Sequence, residues 1–124
     1  MLKGSCLCGG ISFTVSGDVP GPSICHCGQC RKQSGHVWSS SYAPVEQIKI
    51  AGQGLKWFRA SDTAKRGFCG TCGSFLFWKQ DDEDTMSFAM GALDGDTGLR
   101  LSKHIYTRDK GDYYEIADDA PKAS

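Results

Sequence analysis

Apolar and polar positions alternate along this chain in short runs separated by turn residues. The runs are ISFTV (11–15), VWSSSYA (37–43), EQIKI (46–50), LKWFRA (55–60), SFLFWK (74–79), TMSFAM (85–90) and HIYT (104–107). Their alternating or β-branched and aromatic character predicts strands. The segment AGQG (51–54) reads as a hairpin turn joining two of them, and DGDTG (94–98) as a further turn. Only GQCRKQSG (28–35) predicts a helical turn or two, closed by Gly35. No repeat or linker interrupts the pattern, and the tail ADDAPKAS (117–124) is expected to fray. The prediction is therefore an all-β domain over residues 1–116. Its small apolar payload suggests that metal ties help to hold it together.

Composition narrows the class. A length of 124 residues suits one domain, and 40% apolar residues, 23% charged residues and sixteen glycines describe a soluble, turn-rich globular chain. Fourteen acidic residues balance fourteen basic ones, so no net field draws the molecule towards nucleic acid or anionic lipid. The opening MLKGSCLCGGISF has glycines and cysteines where a signal peptide needs its apolar stretch, and no run approaches a bilayer span. The expected address is the cytoplasm, where thiols stay reduced and clustered cysteines bind metal or catalyse.

The seven cysteines form three clusters: Cys6-x-Cys8, Cys25-x-Cys27-x-x-Cys30 and Cys69-x-x-Cys72. A Cys-x-x-Cys segment bends two sulfurs round one ion, and Gly73 after Cys72 helps that turn. A structural zinc takes four ligands, so seven thiols divide into a closed set of four and an open set of three. Two partitions are possible. In one, Cys6 and Cys8 join Cys69 and Cys72 while Cys25, Cys27 and Cys30 form a local cup; in the other, Cys27, Cys30, Cys69 and Cys72 make a zinc ribbon. The first is favoured because three sulfurs close in sequence share an ion without help from distant chain. Its closed site would tie the amino terminus to residues near 70, a crosslink worth about 4 kcal/mol of denatured-state freedom.

With these clusters in place, the chain resembles the glutathione-dependent formaldehyde-activating enzyme family, also called the centromere protein V family. The matching stretches are GSCLCGGISF, CHCGQCRKQSG, FCGTCGSFLFW and KHIYTRDKGDYYEI, in the family's order. The resemblance implies a β-tent fold, a structural zinc on Cys6, Cys8, Cys69 and Cys72, and a second zinc on Cys25, Cys27 and Cys30. It departs from the family at Tyr113, where a Trp often precedes Tyr-Glu-Ile.

Zinc with three protein ligands and an open fourth position is a catalytic layout. Here the open position suits a thiol such as glutathione, taken as its thiolate. Attack on formaldehyde would give an S-hydroxymethyl adduct, so the expected activity is that of a carbon–sulfur lyase acting with a small thiol cosubstrate. Cys25, Cys27 and Cys30 are then the catalytic residues. Arg31 and Lys32, directly after Cys30, are candidates to offset thiolate charge or clasp a substrate carboxylate. His26 is an alternative fourth ligand, though its flanks make that geometry awkward. His36 is a candidate proton donor, with a plain polar contact as the simpler reading. His104 is expected to be structural. Trp38, Phe68, Phe75, Phe77 and Trp78 are pocket or core residues. A non-catalytic zinc scaffold and a thiol redox sensor are the alternative functions.

Overall fold

In the computed structural model, which describes residues 1–124, the alternating stretch ISFTV forms strand β2 (Ile11–Val15). Ile11, Phe13 and Val15 are buried, while Ser12 faces solvent. β2 is the middle strand of a three-stranded antiparallel sheet, between β1 (Leu2–Ser5) and β5 (Ile48–Gly52). The other seven strands are β3 (Ser23–Cys25), β4 (Trp38–Pro44), β6 (Leu55–Arg59), β7 (Ala64–Cys69), β8 (Phe75–Gln80), β9 (Thr85–Ala89) and β10 (Lys103–Ile105). They form one sheet in the order β10-β3-β4-β9-β8-β7-β6, antiparallel except for the β10–β3 pair. A single short helix, α1 (Gly28–Ser34), and three 3-10 turns complete the chain. The architecture is β, as the pattern predicted.

The core lies where the small sheet faces the large one. Phe13 from β2 meets Phe77 from β8 edge-on, with ring centroids 5.0 Å apart, and lies 6.3 Å from Phe88 of β9. Ile11, Val15, Leu76, Phe77 and Phe88 have essentially no exposed surface. Each such side chain contributes roughly 1.5–3 kcal/mol by leaving water. Gly4 on β1 is required here, because a Cβ would sit 2.3 Å from the Phe13 ring.

Three expectations need correction. AGQG (51–54) is not a hairpin turn, since β5 pairs with β2 in the small sheet and β6 with β7 in the large one. It is the corner between sheets: a Cβ on Gly52 would approach the Gly10 carbonyl to 2.0 Å, and Gly70 N–H donates to the Gly54 carbonyl at 2.7 Å. HIYT is cut short as a strand because Tyr106 adopts a left-handed conformation (φ 55°). The carboxyl-terminal tail does not fray. His104 N–H donates to the Pro121 carbonyl, Ala123 N–H to the His104 carbonyl and Thr107 N–H to the Ala123 carbonyl, so the tail runs beside β10. Asp118 also accepts from His104 Nε2 at 2.9 Å. A chain ending at residue 116 is therefore expected to lose on the order of 2 kcal/mol of stability by chemical denaturation. An unchanged midpoint would show that these bonds are not formed in solution.

β1, β3 and β7 were absent from the sequence reading. LKGS and AKRGFC carry exposed-looking polar residues, and SIC is too short to show a period.

Candidate metal centres and the cavities beside them

Two hairpin turns, one from each sheet, meet at the first cysteine cluster. The β1–β2 turn is closed by Cys6 N–H donating to the Ile11 carbonyl at 3.0 Å, and carries Cys6 and Cys8. The β7–β8 turn is closed by Gly73 N–H donating to the Cys69 carbonyl at 2.8 Å, with Gly73 at φ 82°, and carries Cys69 and Cys72. The two turns also bond directly: Leu7 N–H donates to Ser74 Oγ at 3.0 Å and Cys8 N–H to Cys72 Sγ at 3.4 Å.

The four sulfurs lie within 4.8 Å of one another, with Cys6–Cys8 at 3.6 Å and Cys8–Cys69 at 3.8 Å. Four thiolates placed tetrahedrally about 2.3 Å from one zinc are about 3.8 Å apart, so the donor set fits such an ion. Backbone N–H groups of Ile11 and Cys72 donate to Cys6 and Cys69 sulfurs, as thiolates require. The hydroxyl of Ser74, with nearby backbone N–H groups, holds the Cys72 thiol down to about 5.

Cys25, Cys27 and Cys30 form the second cluster, also within 4.8 Å of one another. Cys25 ends β3, Cys27 is the cap residue of α1, and Cys30 lies in its first turn, where its N–H donates to Cys27 Sγ at 3.4 Å. Gly35, left-handed at φ 89°, ends the helix. The structure thus gathers the seven thiols as four and three and does not assemble the ribbon set. A hydrogen bond from Cys25, helped by the Arg66 guanidinium, holds the Cys30 thiol down to about 6. The same bond and burial push the Cys25 thiol up.

The neighbours differ from the sequence reading in detail. His26 is turned away from the sulfurs: its Nδ1 meets Tyr114 OH at 2.5 Å and its Nε2 meets His104 Nδ1 at 2.9 Å. With His104 Nε2 donating to Asp118, every donor in this chain finds an acceptor when both imidazoles are neutral. Burial, the largest cause, pushes His26 below its ordinary value. His26 is thus occupied elsewhere, and His104 has the structural place expected of it. His36 is exposed and pairs with Tyr113 OH at 2.7 Å. Arg31 is directed at the Asp109 carbonyl, 3.3 Å away.

Lys32 is exposed and lines a cavity of about 540 Å³ with Gln29, Gln33, Phe58, Arg66 and Phe68. A second cavity of about 750 Å³ is bordered by Cys6, Gln33, Trp38, Phe75 and Asp94. Trp38 and Phe75 stack there at 4.1 Å and pack near Cys25 and Cys30, whereas Phe77 belongs to the main core.

Sequence reasoning missed Arg66. It lies on β7 with only 5% of its surface exposed, and both terminal nitrogens reach Cys30 Sγ, at 3.6 and 3.7 Å. The only signal was a basic residue three positions before Cys69, in a stretch that reads as polar surface.

Together these features define a β protein with two cysteine centres, one joining its sheets and one beside a solvent-reaching cavity. Residues 1–109 match the family described as glutathione-dependent formaldehyde-activating enzyme, and the chain belongs to that family. An uncharacterized lyase of Schizosaccharomyces pombe is 25% identical over 122 residues, covering 94% of this chain and 85% of that protein. A Halomonas elongata protein provisionally named as a glutathione-dependent formaldehyde-activating enzyme is 29% identical over 136 residues, covering 94% and 81%. The fold is shared with a Rhodobacter sphaeroides protein of known crystal structure, with a TM-score of 0.61, 21% identity, and 81% of this chain and 99% of that one covered. No helix is long and apolar enough to cross a membrane.

Proposed function

We propose that this protein is a zinc-dependent carbon–sulfur lyase that joins a small thiol, of the glutathione class, to formaldehyde or releases it. The single observation that carries the reading is the division of seven sulfurs into a set of four and a set of three, each within 4.8 Å. Cys6, Cys8, Cys69 and Cys72 would saturate a structural ion, and two sheets leaning on that corner support the β-tent reading. Cys25, Cys27 and Cys30 would leave one position open. A zinc ion held there supplies a Lewis-acidic site that favours an incoming thiol as its thiolate.

The chain's own residues do the rest. The three cysteines fix the site, and burial of Cys25 and Cys30 excludes water from two of its sides. Lys32, Gln29 and Gln33 project from α1 into the 540 Å³ cavity, where they can bind the carboxylate and amide groups of a peptide thiol. In the forward direction a carbon–sulfur bond forms as the carbonyl π pair moves to oxygen, which takes up a proton. Members of this family named as lyases or formaldehyde-activating enzymes support the class of reaction.

The test is metal content and glutathione binding on the native protein and a Lys32→Ala variant. Two zinc ions per chain and a saturable calorimetric response to glutathione are expected. The variant should keep both ions and bind glutathione roughly threefold to tenfold more weakly, as for loss of one partly exposed charge contact. Two zincs without any response to glutathione or another small thiol would point instead to a scaffold.

A further inference from the structure

Arg66 is a buried cation without a carboxylate. The carboxylate paired with an arginine is Asp81, held by Arg59, and Arg66 takes no part in that pair. Its guanidinium is instead held on three sides. Both terminal nitrogens face Cys30 Sγ, one also reaches Gln33 Oε1 at 3.4 Å, and the Phe75 ring lies 5.2 Å from Cζ. A charge taken this far out of water is costly unless an anion answers it. The anion within reach is the sulfur of Cys30.

We propose that Arg66 is a positioning residue: it is the fixed counter-charge of the three-cysteine centre, strengthening that centre's hold on zinc and making an anionic fourth ligand admissible. The inference rests on the reading of Cys25, Cys27 and Cys30 as an open zinc centre. Three thiolates round a divalent ion leave one surplus negative charge, and a thiolate in the fourth position makes two. Arg66 removes one of them from inside the protein, where the low dielectric makes its attraction far stronger than that of a solvated cation. Lys32 is exposed and Arg31 is turned to the Asp109 carbonyl, so neither neighbour on α1 can replace it.

The experiment compares the zinc-loaded wild type with Arg66→Gln and Arg66→Lys at one pH and ionic strength. Competition with a chromophoric chelator reads the affinity of the second, weaker zinc. Calorimetry then reads binding of glutathione and of neutral imidazole to the loaded proteins. Arg66→Gln is expected to weaken the second zinc about tenfold or more, as for a lost bond between charged groups. It should weaken glutathione similarly while leaving imidazole nearly unchanged, and Arg66→Lys should recover most of each loss. An unchanged second zinc in Arg66→Gln overturns the proposal, and so does an equal loss in both variants, which would mark a packing role. Should the glutamine variant fail to fold, Arg66→Lys alone decides: affinities within about threefold of wild type support the counter-charge, and complete loss of the second zinc contradicts it. If glutathione fails to bind even the wild type, the proposed reaction fails, while the chelator competition still decides the role of Arg66.

Discussion

Replacing Cys69 by Ala is expected to leave a chain that neither melts cooperatively nor holds its first metal ion. Cys69 is 1% exposed, and its sulfur is 3.8 Å from that of Cys8, across the junction between the two sheets. The small sheet is otherwise fastened by its apolar face and by a few bonds such as Leu7 N–H to Ser74 Oγ. A crosslink closing a loop of this length is worth about 4 kcal/mol, and apparent binding energies of structural zinc reach about 10–16 kcal/mol. The first is a large share of the roughly 5–15 kcal/mol by which a domain is stable, and the second is comparable with or larger than the whole of it. Circular dichroism and metal analysis should show an unfolded chain with at most one zinc. A folded variant retaining two would remove the four-cysteine centre from the account of stability.

Replacing Cys30 by Ser is expected to have an equally large effect on binding and a much smaller one on the fold. The variant should keep its structural zinc, lose the second and lose the response to glutathione, a decrease beyond about a hundredfold in thiol affinity if the metal is the anchor. It should also be less stable by about 1–3 kcal/mol, since Arg66 would face a neutral hydroxyl in place of a thiolate. Glutathione binding undiminished in this variant would place the thiol elsewhere on the protein.

The two centres were readable in different degrees. Sulfur spacing announces itself, because clustered Cys-x-x-Cys segments point to metal; spacing and ligand count favoured the four-and-three grouping while leaving the zinc ribbon open, and the structure gathers the sulfurs as four and three. Strands with alternating apolar residues, such as β2, or with an aromatic-rich run, such as β8, were equally plain. The corner at Gly52 was not, because a glycine turn looks the same whether the flanking strands pair with each other or with different sheets. Arg66 was hidden for a related reason: a charged residue in AKRGFC is indistinguishable from surface until the sulfur that partners it has been brought over from α1. The tail was misjudged through composition. ADDAPKAS is polar enough to fray, yet Asp118 answers a buried His104, and the backbone beyond it completes the edge beside β10.

The central claim is that Cys25, Cys27 and Cys30 hold an ion whose fourth position belongs to a visiting thiol. Zinc X-ray absorption on the native protein, before and after glutathione, tests it most directly. Averaged over a four-sulfur and a three-sulfur site, the account predicts about 3.5 sulfur ligands per zinc without thiol, rising to about 4 with it. About four protein ligands at both zincs from the outset, sulfur or imidazole, with no change on adding glutathione, would contradict it.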